Sequence, residues 1–197
     1  MDKQTYNSGK HHRRSIRLQG YDYAQAGSYF ITICTQNRAC LFGVIVNGEM
    51  ILNDAGLMVE KWFLELENKF PDIRCDEYIV MPNHFHSIVT IVGADQRVCP
   101  VIYPNDNLGE HKNALGEHVA LGEHVGSPLH RAVQWFKTMA TNEYIRGVKN
   151  QGWPRFNGKL FQRNYYEHII RNERSYLRIA AYIRNNPANW KNDKLRS

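Results

Sequence analysis

Two short constellations in this 197-residue chain have residue types and spacings suited to chemistry. The first is His84-Phe85-His86. Alternate side chains of a strand share a face, so two histidines two apart in a strand present both imidazoles to the same side and can chelate one metal ion. Read the other way, they are two polar residues on a solvent-facing strand, with Phe85, Ser87, Val89 and Ile91 packed beneath a helix. The second constellation is Tyr182 with Asn186, four residues apart and so one turn apart on one helix face. A phenol and an amide oxygen placed there can reach the same ion and the same phosphate. The plain alternative is helix surface closed off by Pro187.

The elements needed to position these groups are legible from periodicity and punctuation. Residues 28–42 are rich in β-branched and aromatic side chains and read as a strand. Asn47-Gly48 between two apolar triplets predicts a hairpin with a type I′ turn. A helix follows, with Asp54 at its N-cap and Leu57, Val59, Trp62, Phe63 and Leu66 at helical spacing, ending before Pro71. Strands are expected over 73–81 and 84–92, broken by Pro82-Asn83, then a helix over 129–146 and a loop over 147–158. A strand over 159–170 and a helix over 174–186 complete the order. The fold class this implies is α+β, a mostly antiparallel sheet with helices packed on it.

Charge points to the partner. Lys and Arg number 25 against 19 Asp and Glu, a net charge of +6. From 131 to 197 there are 14 basic and 4 acidic residues, a local net of +10, whereas 93–126 holds 2 and 5, a net of −3. Lys137, Arg163, Arg171, Arg174, Arg178 and Arg184 alternate with Trp135, Tyr144, Trp153, Tyr165, Tyr166 and Trp190. Cations neutralise backbone phosphates and aromatic rings stack on unpaired bases, so this mixture fits nucleic acid, single-stranded or hairpin. At least half of these aromatics are expected in the core.

The remaining features bound the class. Cys34, Cys40, Cys75 and Cys99 include no C-x-x-C pair, which argues against a zinc site and for free thiols. Neither a signal-peptide pattern nor an apolar run of membrane-spanning length is present. These features predict a cytoplasmic protein with no membrane partner. One domain is expected over 1–197, with a basic arm at 1–20 and a flexible loop at 93–127. That loop carries LGEHKNA, LGEHVA and LGEHVG in succession, too short for a solenoid unit and read as a tandem duplication in a tolerated surface loop.

Four stretches together carry a family resemblance: RRSIRLQGYDYAQAGSYFITICTQNRACLFG (13–43), MPNHFHSIV (81–89), FKTMATNEY (136–144) and FQRNYYEHIIRNERSYLRIAAYIRNNP (161–187). Asn-His-hydrophobe-His after Met-Pro, with Tyr-Ile-x-x-Asn-Pro far downstream, resembles the REP-associated tyrosine transposases, a branch of the single-tyrosine HUH transposases. The resemblance spans nearly the whole chain outside the repeat-bearing loop. It implies a ferredoxin-like HUH endonuclease fold and a bacterial, nucleoid-associated protein. The implied activity is nicking and rejoining of single-stranded or hairpin DNA through a 5′-phosphotyrosine. His84 and His86 are then the HUH pair, Tyr182 the nucleophile, and Asn186 a third ligand of a divalent ion, Mg²⁺ or Mn²⁺. Wider relatives often carry Gln at the position of Asn186. Arg13, Arg14 and Arg17, with Lys137, Arg163 and Arg171, become candidate DNA contacts. The resemblance leaves open a monomer or a homodimer.

Other readings stand beside this one. Tyr165, Tyr166 and Tyr176 are rival nucleophiles. A replication initiator would share the chemistry but usually carries further domains. A regulator that binds hairpin DNA without cutting would share the surface alone. Ile88, where a third alternate histidine would fall, disfavours a nucleotide-processing enzyme built on His-φ-His-φ-His.

Overall fold

A computed structural model describes residues 25–93 and 127–196. The chain runs β1 (Gly27–Cys34), a 3-10 turn (Gln36–Arg38), β2 (Gly43–Val46), β3 (Glu49–Leu52), α1 (Asp54–Lys69), β4 (Ile73–Met81) and β5 (His84–Ile91). After the repeat-bearing segment come α2 (Pro128–Asn150), β6 (Tyr166–Ile170), α3 (Glu173–Arg184) and a closing 3-10 turn (Trp190–Asn192).

Four strands form one sheet in the order β4-β5-β1-β6, every neighbouring pair antiparallel. Setting aside the separate β2–β3 hairpin, the order of elements is βαββαβ, the split βαβ arrangement of ferredoxin-like folds. The α+β expectation is met. Helices α1 and α2 cover one sheet face, where Tyr29, Ile31, Ile33, Phe85 and Val89 meet Val59, Phe63, Leu66, Val133 and Phe136. The other face carries a smaller cluster, in which Ile88 and Ile170 meet Ile179, Ala180 and Ile183 of α3. Central strand β5 is therefore buried on both sides, and its alternation sorts Phe85, Val89 and Ile91 to the α1–α2 face and His84 and His86 to the α3 face.

Several boundaries differ from expectation, each for a local reason. The strand expected over 28–42 ends at Cys34, because Asn37 and Arg38 take positive φ of 56° and 53°, conformations no strand contains. The chain then doubles back, and the Leu41 and Phe42 amides donate to the Pro82 carbonyl at 2.8 and 3.1 Å. The hairpin turn forms as predicted, with Asn47 and Gly48 both at positive φ. Asn53, not Asp54, caps α1, its side chain accepting from the Gly56 amide at 2.9 Å. Helix α2 continues past Gly147 to Asn150, and the Trp153 indole folds back on that glycine; a Cβ there would lie 2.3 Å from the ring. Only 166–170 of the strand expected over 159–170 is strand, preceded by a single bridge between Thr35 and Phe161. Helix α3 is capped by Asn172 and ends at Arg184, so Asn186 stands just beyond the helix. The arm at 1–20, with Arg13, Arg14 and Arg17, and the LGEH repeats lie outside the described residues.

Candidate active site

His84 and His86 are both buried at the start of β5, their ring centroids 4.5 Å apart. The short turn before β5 fixes the first ring. Asn83, fully buried, donates its amide protons to the carbonyls of Arg38 (3.1 Å) and Leu195 (2.9 Å). Its Oδ1 is thereby left as acceptor for His84 Nδ1 at 2.8 Å. That hydrogen-bond logic puts the proton on Nδ1 and an in-plane lone pair on Nε2, the tautomer a metal ligand needs. His86 Nδ1 lies 2.8 Å from Thr32 Oγ1 on neighbouring β1, a hydroxyl that can donate or accept and that sets the orientation of the second ring.

Helix α3 and the tail behind it close the other side. Tyr182, 48% exposed, sets its hydroxyl 3.4 Å from His86 Nε2. Asn186 is held in the turn after α3 by a bond from its amide to the Ile183 carbonyl at 3.2 Å. The tail then crosses the site. Arg38 donates to the Lys194 carbonyl at 2.7 Å, and the Trp190 ring stands 6.0 Å from that of His84. Asp193 Oδ1 accepts from the Leu195 amide at 2.7 Å, which turns Oδ2 to within 3.6 Å of His84 Nε2.

The arrangement concentrates buried acceptors with nothing to accept from. His84 Nε2, Asn186 Oδ1 and Asp193 Oδ2 are all buried without a hydrogen-bond partner. Such orphaned groups are costly and require an account. Ligand atoms of His84, His86 and Asp193 lie within 4.8 Å of one another, so the group could hold a metal ion. A dication satisfies lone pairs that no neighbouring donor reaches, and the donor set of two imidazoles, a carboxylate and an amide oxygen fits a first-row or alkaline-earth divalent ion.

Electrostatics agree with ligand roles. Burial pushes His84 down to about 4, opposed by Asp193 and Asn186 and reinforced by Arg38. Burial, and then the neighbouring His84, hold His86 well below its ordinary value. Both rings are neutral near pH 7, as metal ligation requires. Tyr182 is pushed above the usual phenol value by burial and by Asp193, with Asn186 pulling the other way.

The structure brings His84, His86, Tyr182 and Asn186 together within one chain. The sequence marked Asn83 only as a turn residue and a position of the family motif, and did not mark Asp193 or Thr32; Asp193 sits in an Asn-Asp-Lys stretch with no motif to mark it. Lys137 is elsewhere, on α2, donating to the carbonyls of Gln162 (2.6 Å) and Arg163 (3.0 Å). It shares a groove with Lys159 and Arg163, and burial followed by Lys159 lowers it to about 8. Arg171 lies exposed between β6 and α3. Among the rival tyrosines, Tyr165 is buried, Tyr176 packs beside the small α3 cluster, and Tyr166 is exposed. Tyr144 and Trp153 belong to the main core, as expected for part of the aromatic set. Cys34, Cys40 and Cys75 are free thiols, and Cys99 is outside the described residues. No helix among the described residues is long and apolar enough to cross a membrane.

The fold built around this site is shared with a solved structure. A REP-associated tyrosine transposase bound to a REP hairpin superposes with a TM-score of 0.52 over 88% of this chain and 74% of that one, at 16% identity. No family model matches the sequence. An uncharacterised protein of Haemophilus influenzae (strain ATCC 51907 / DSM 11121 / KW20 / Rd) is 42% identical over 193 residues, 96% of either chain. The chain belongs to the same family as that Haemophilus protein.

Proposed function

We propose that this protein is a transposase-type endonuclease that nicks and rejoins single-stranded or hairpin DNA through Tyr182. The observation that carries the reading is the half-exposed Tyr182 hydroxyl, 3.4 Å from His86 Nε2, at the rim of a buried set of unsatisfied acceptors. A nucleophile at the edge of a cation site is what phosphodiester transfer needs. The resemblance of Met-Pro-Asn-His-Phe-His and Tyr-Ile-Arg-Asn-Asn-Pro to HUH transposases supports the same assignment.

His84, His86, Asp193 and Asn186 would hold the ion, Mn²⁺ at least as readily as Mg²⁺ because two donors are imidazoles. Bound there, it supplies charge neutralisation at a non-bridging phosphate oxygen. Tyr182 oxygen attacks phosphorus and the bond to the 3′-oxygen breaks. The phenol gives up its proton, the departing 3′-oxygen takes one up, and a 5′-phosphotyrosine results. A second 3′-hydroxyl attacks that linkage and releases Tyr182 as the phenol, so one phosphodiester replaces another and no ATP is consumed. Burial and Asp193 disfavour the phenolate, with Asn186 opposing them, so positive charge brought beside Tyr182 would favour its ionised form. Arg174 and Arg178 precede Tyr182 at intervals of four on α3 and lie on its side of the helix, where they can meet phosphates. Arg163 and Arg171, Arg13, Arg14 and Arg17 of the arm, and the one ammonium proton of Lys137 not given to a carbonyl are assigned to the DNA backbone on charge and resemblance.

The test is incubation with Mn²⁺ or Mg²⁺ and labelled single-stranded DNA from the flanks of the gene, read on a denaturing gel. An adduct that survives denaturation and disappears in Tyr182→Phe and His84→Ala is the expected result. An adduct that persists in Tyr182→Phe moves the nucleophile. Hairpin binding without any adduct replaces the enzyme by a non-cutting regulator.

A further inference from the structure

Among the described residues, the sheet face beside Tyr182 is only partly roofed. Strand register places Ser28, Phe30 and Thr32 of β1 on the same side as Ile170, His168 and Tyr166 of edge strand β6. Helix α3 covers the Ile170 end, where Ile179, Ala180 and Ile183 pack. It leaves the other end open, and there His168 is exposed and Tyr166 is 56% exposed.

Phe30 links this open surface to the site. Its ring stacks on that of His86 at 5.3 Å and 28°. Both phenols stand edge-on to it, Tyr166 at 6.4 Å and 70° and Tyr182 at 6.1 Å and 84°. Tyr166 is thus one ring removed from Tyr182. Strand propensity alone accounts for a tyrosine at an edge, but not for an aromatic surface continuous with a nucleophile and left uncovered among the described residues.

Charge names the occupant. Arg163 precedes β6 and Arg171 follows it, and no ion pair engages either among the described residues. Glu167, the only carboxylate of β6, pairs with Ile31 in register and points to the opposite sheet face. Flat rings bracketed by cations suit a base with its flanking phosphates.

The geometry points to a base-stacking subsite: Phe30, Tyr166 and His168 seat one unpaired base of a single strand next to the phosphate that Tyr182 attacks. The inference rests on the DNA reading above and adds to it a position at which the strand is held. Tyr166 is here a binding residue, not a rival nucleophile.

The experiment uses the full chain with Tyr182→Phe, which removes cleavage. Single-stranded oligonucleotides from the gene flanks carry 2-aminopurine, a base whose fluorescence is quenched by stacking, at successive positions. One position should be quenched on binding. Tyr166→Ala should relieve that quenching and weaken binding about 5- to 150-fold, the range of one base–aromatic stack. Tyr166→Phe, which keeps the ring, should retain both properties. With an abasic nucleotide at the quenched position, the Tyr166→Ala variant and its parent should bind alike. Circular dichroism confirms that the variants fold. Covalent adduct formation by the chain with Tyr182 intact, but no position whose quenching depends on Tyr166, would overturn the subsite and leave the enzyme reading standing. A Tyr166-dependent position without any adduct would keep the subsite and sink the enzyme reading. Absence of single-strand binding would overturn both.

Discussion

Replacing Asn83 with leucine removes three hydrogen bonds while keeping the number and branching of the side-chain heavy atoms. In the native turn Asn83 accepts from His84 Nδ1 and donates to the carbonyls of Arg38 and Leu195. His84 is fully buried, so its N–H would lose its acceptor with no water to replace it, at a cost of about 1–3 kcal/mol. Each carbonyl bond contributes a further ~0.5–1.5 kcal/mol, nearer the lower figure because Arg38 and Leu195 are only half-buried. The expected loss of stability is therefore about 2–5 kcal/mol, measured by urea unfolding in EDTA so that metal plays no part. The same change frees the His84 ring to rotate and loosens the tail that carries Asp193. Mn²⁺ affinity by titration calorimetry should fall about 10- to 100-fold, the usual effect of losing a partner that orients a ligand. Asn83→Asp separates the two effects. It keeps an acceptor for His84 but cannot donate to the carbonyls, so stability should fall while metal affinity stays within about tenfold of native. A leucine variant with unchanged Mn²⁺ affinity and less than about 0.5 kcal/mol of destabilisation would refute the assignment of Asn83 as the residue that orients His84.

Three further expectations follow from the geometry. His84 binds its proton at about 4 in the folded chain against an ordinary 6.5, so the unfolded chain takes up protons first and apo stability falls as pH drops from 6.5 towards 4. The shift of roughly 2.5 units corresponds to about 3 kcal/mol, fully present above pH 6.5; His84→Gln should flatten that part of an EDTA stability–pH curve, and an unchanged slope would refute it. Tyr182→Phe should leave urea stability within about 0.5 kcal/mol of native, because the ring is half-exposed and the hydroxyl's 3.4 Å contact with His86 is long; a larger loss would give Tyr182 a structural role. Gly147→Ala should destabilise by about 1–3 kcal/mol and shift tryptophan fluorescence, since the added Cβ meets the Trp153 ring at 2.3 Å; a stabilised protein would mean the indole is free to swing aside.

Sequence alone determined what depends on neighbours in the chain. Alternation along 84–91 assigned Phe85, Val89 and Ile91 to the main core and both histidines to the other face, because a strand's period of two leaves no alternative once one face is buried. Asn47-Gly48 announced its turn because few other pairs adopt positive φ at both positions so readily. Tyr182 and Asn186, four apart, were legible as a pair whether or not the helix reached the asparagine. Tertiary structure decided the rest. The strand expected to run to Phe42 stops at Cys34, since the chain must turn back there to meet the Pro82 carbonyl. Lys137 carried the same charge in the sequence as any surface lysine, yet the fold commits it to two carbonyls. Asp193 has no pattern to mark it: its approach to His84 is set by the path of the tail after α3, pinned by Arg38 and Asn83 from more than a hundred residues away. Periodicity reports which way a side chain points from its own element. Which distant backbone comes to lie opposite it is fixed only when the sheet, the helix and the tail pack together.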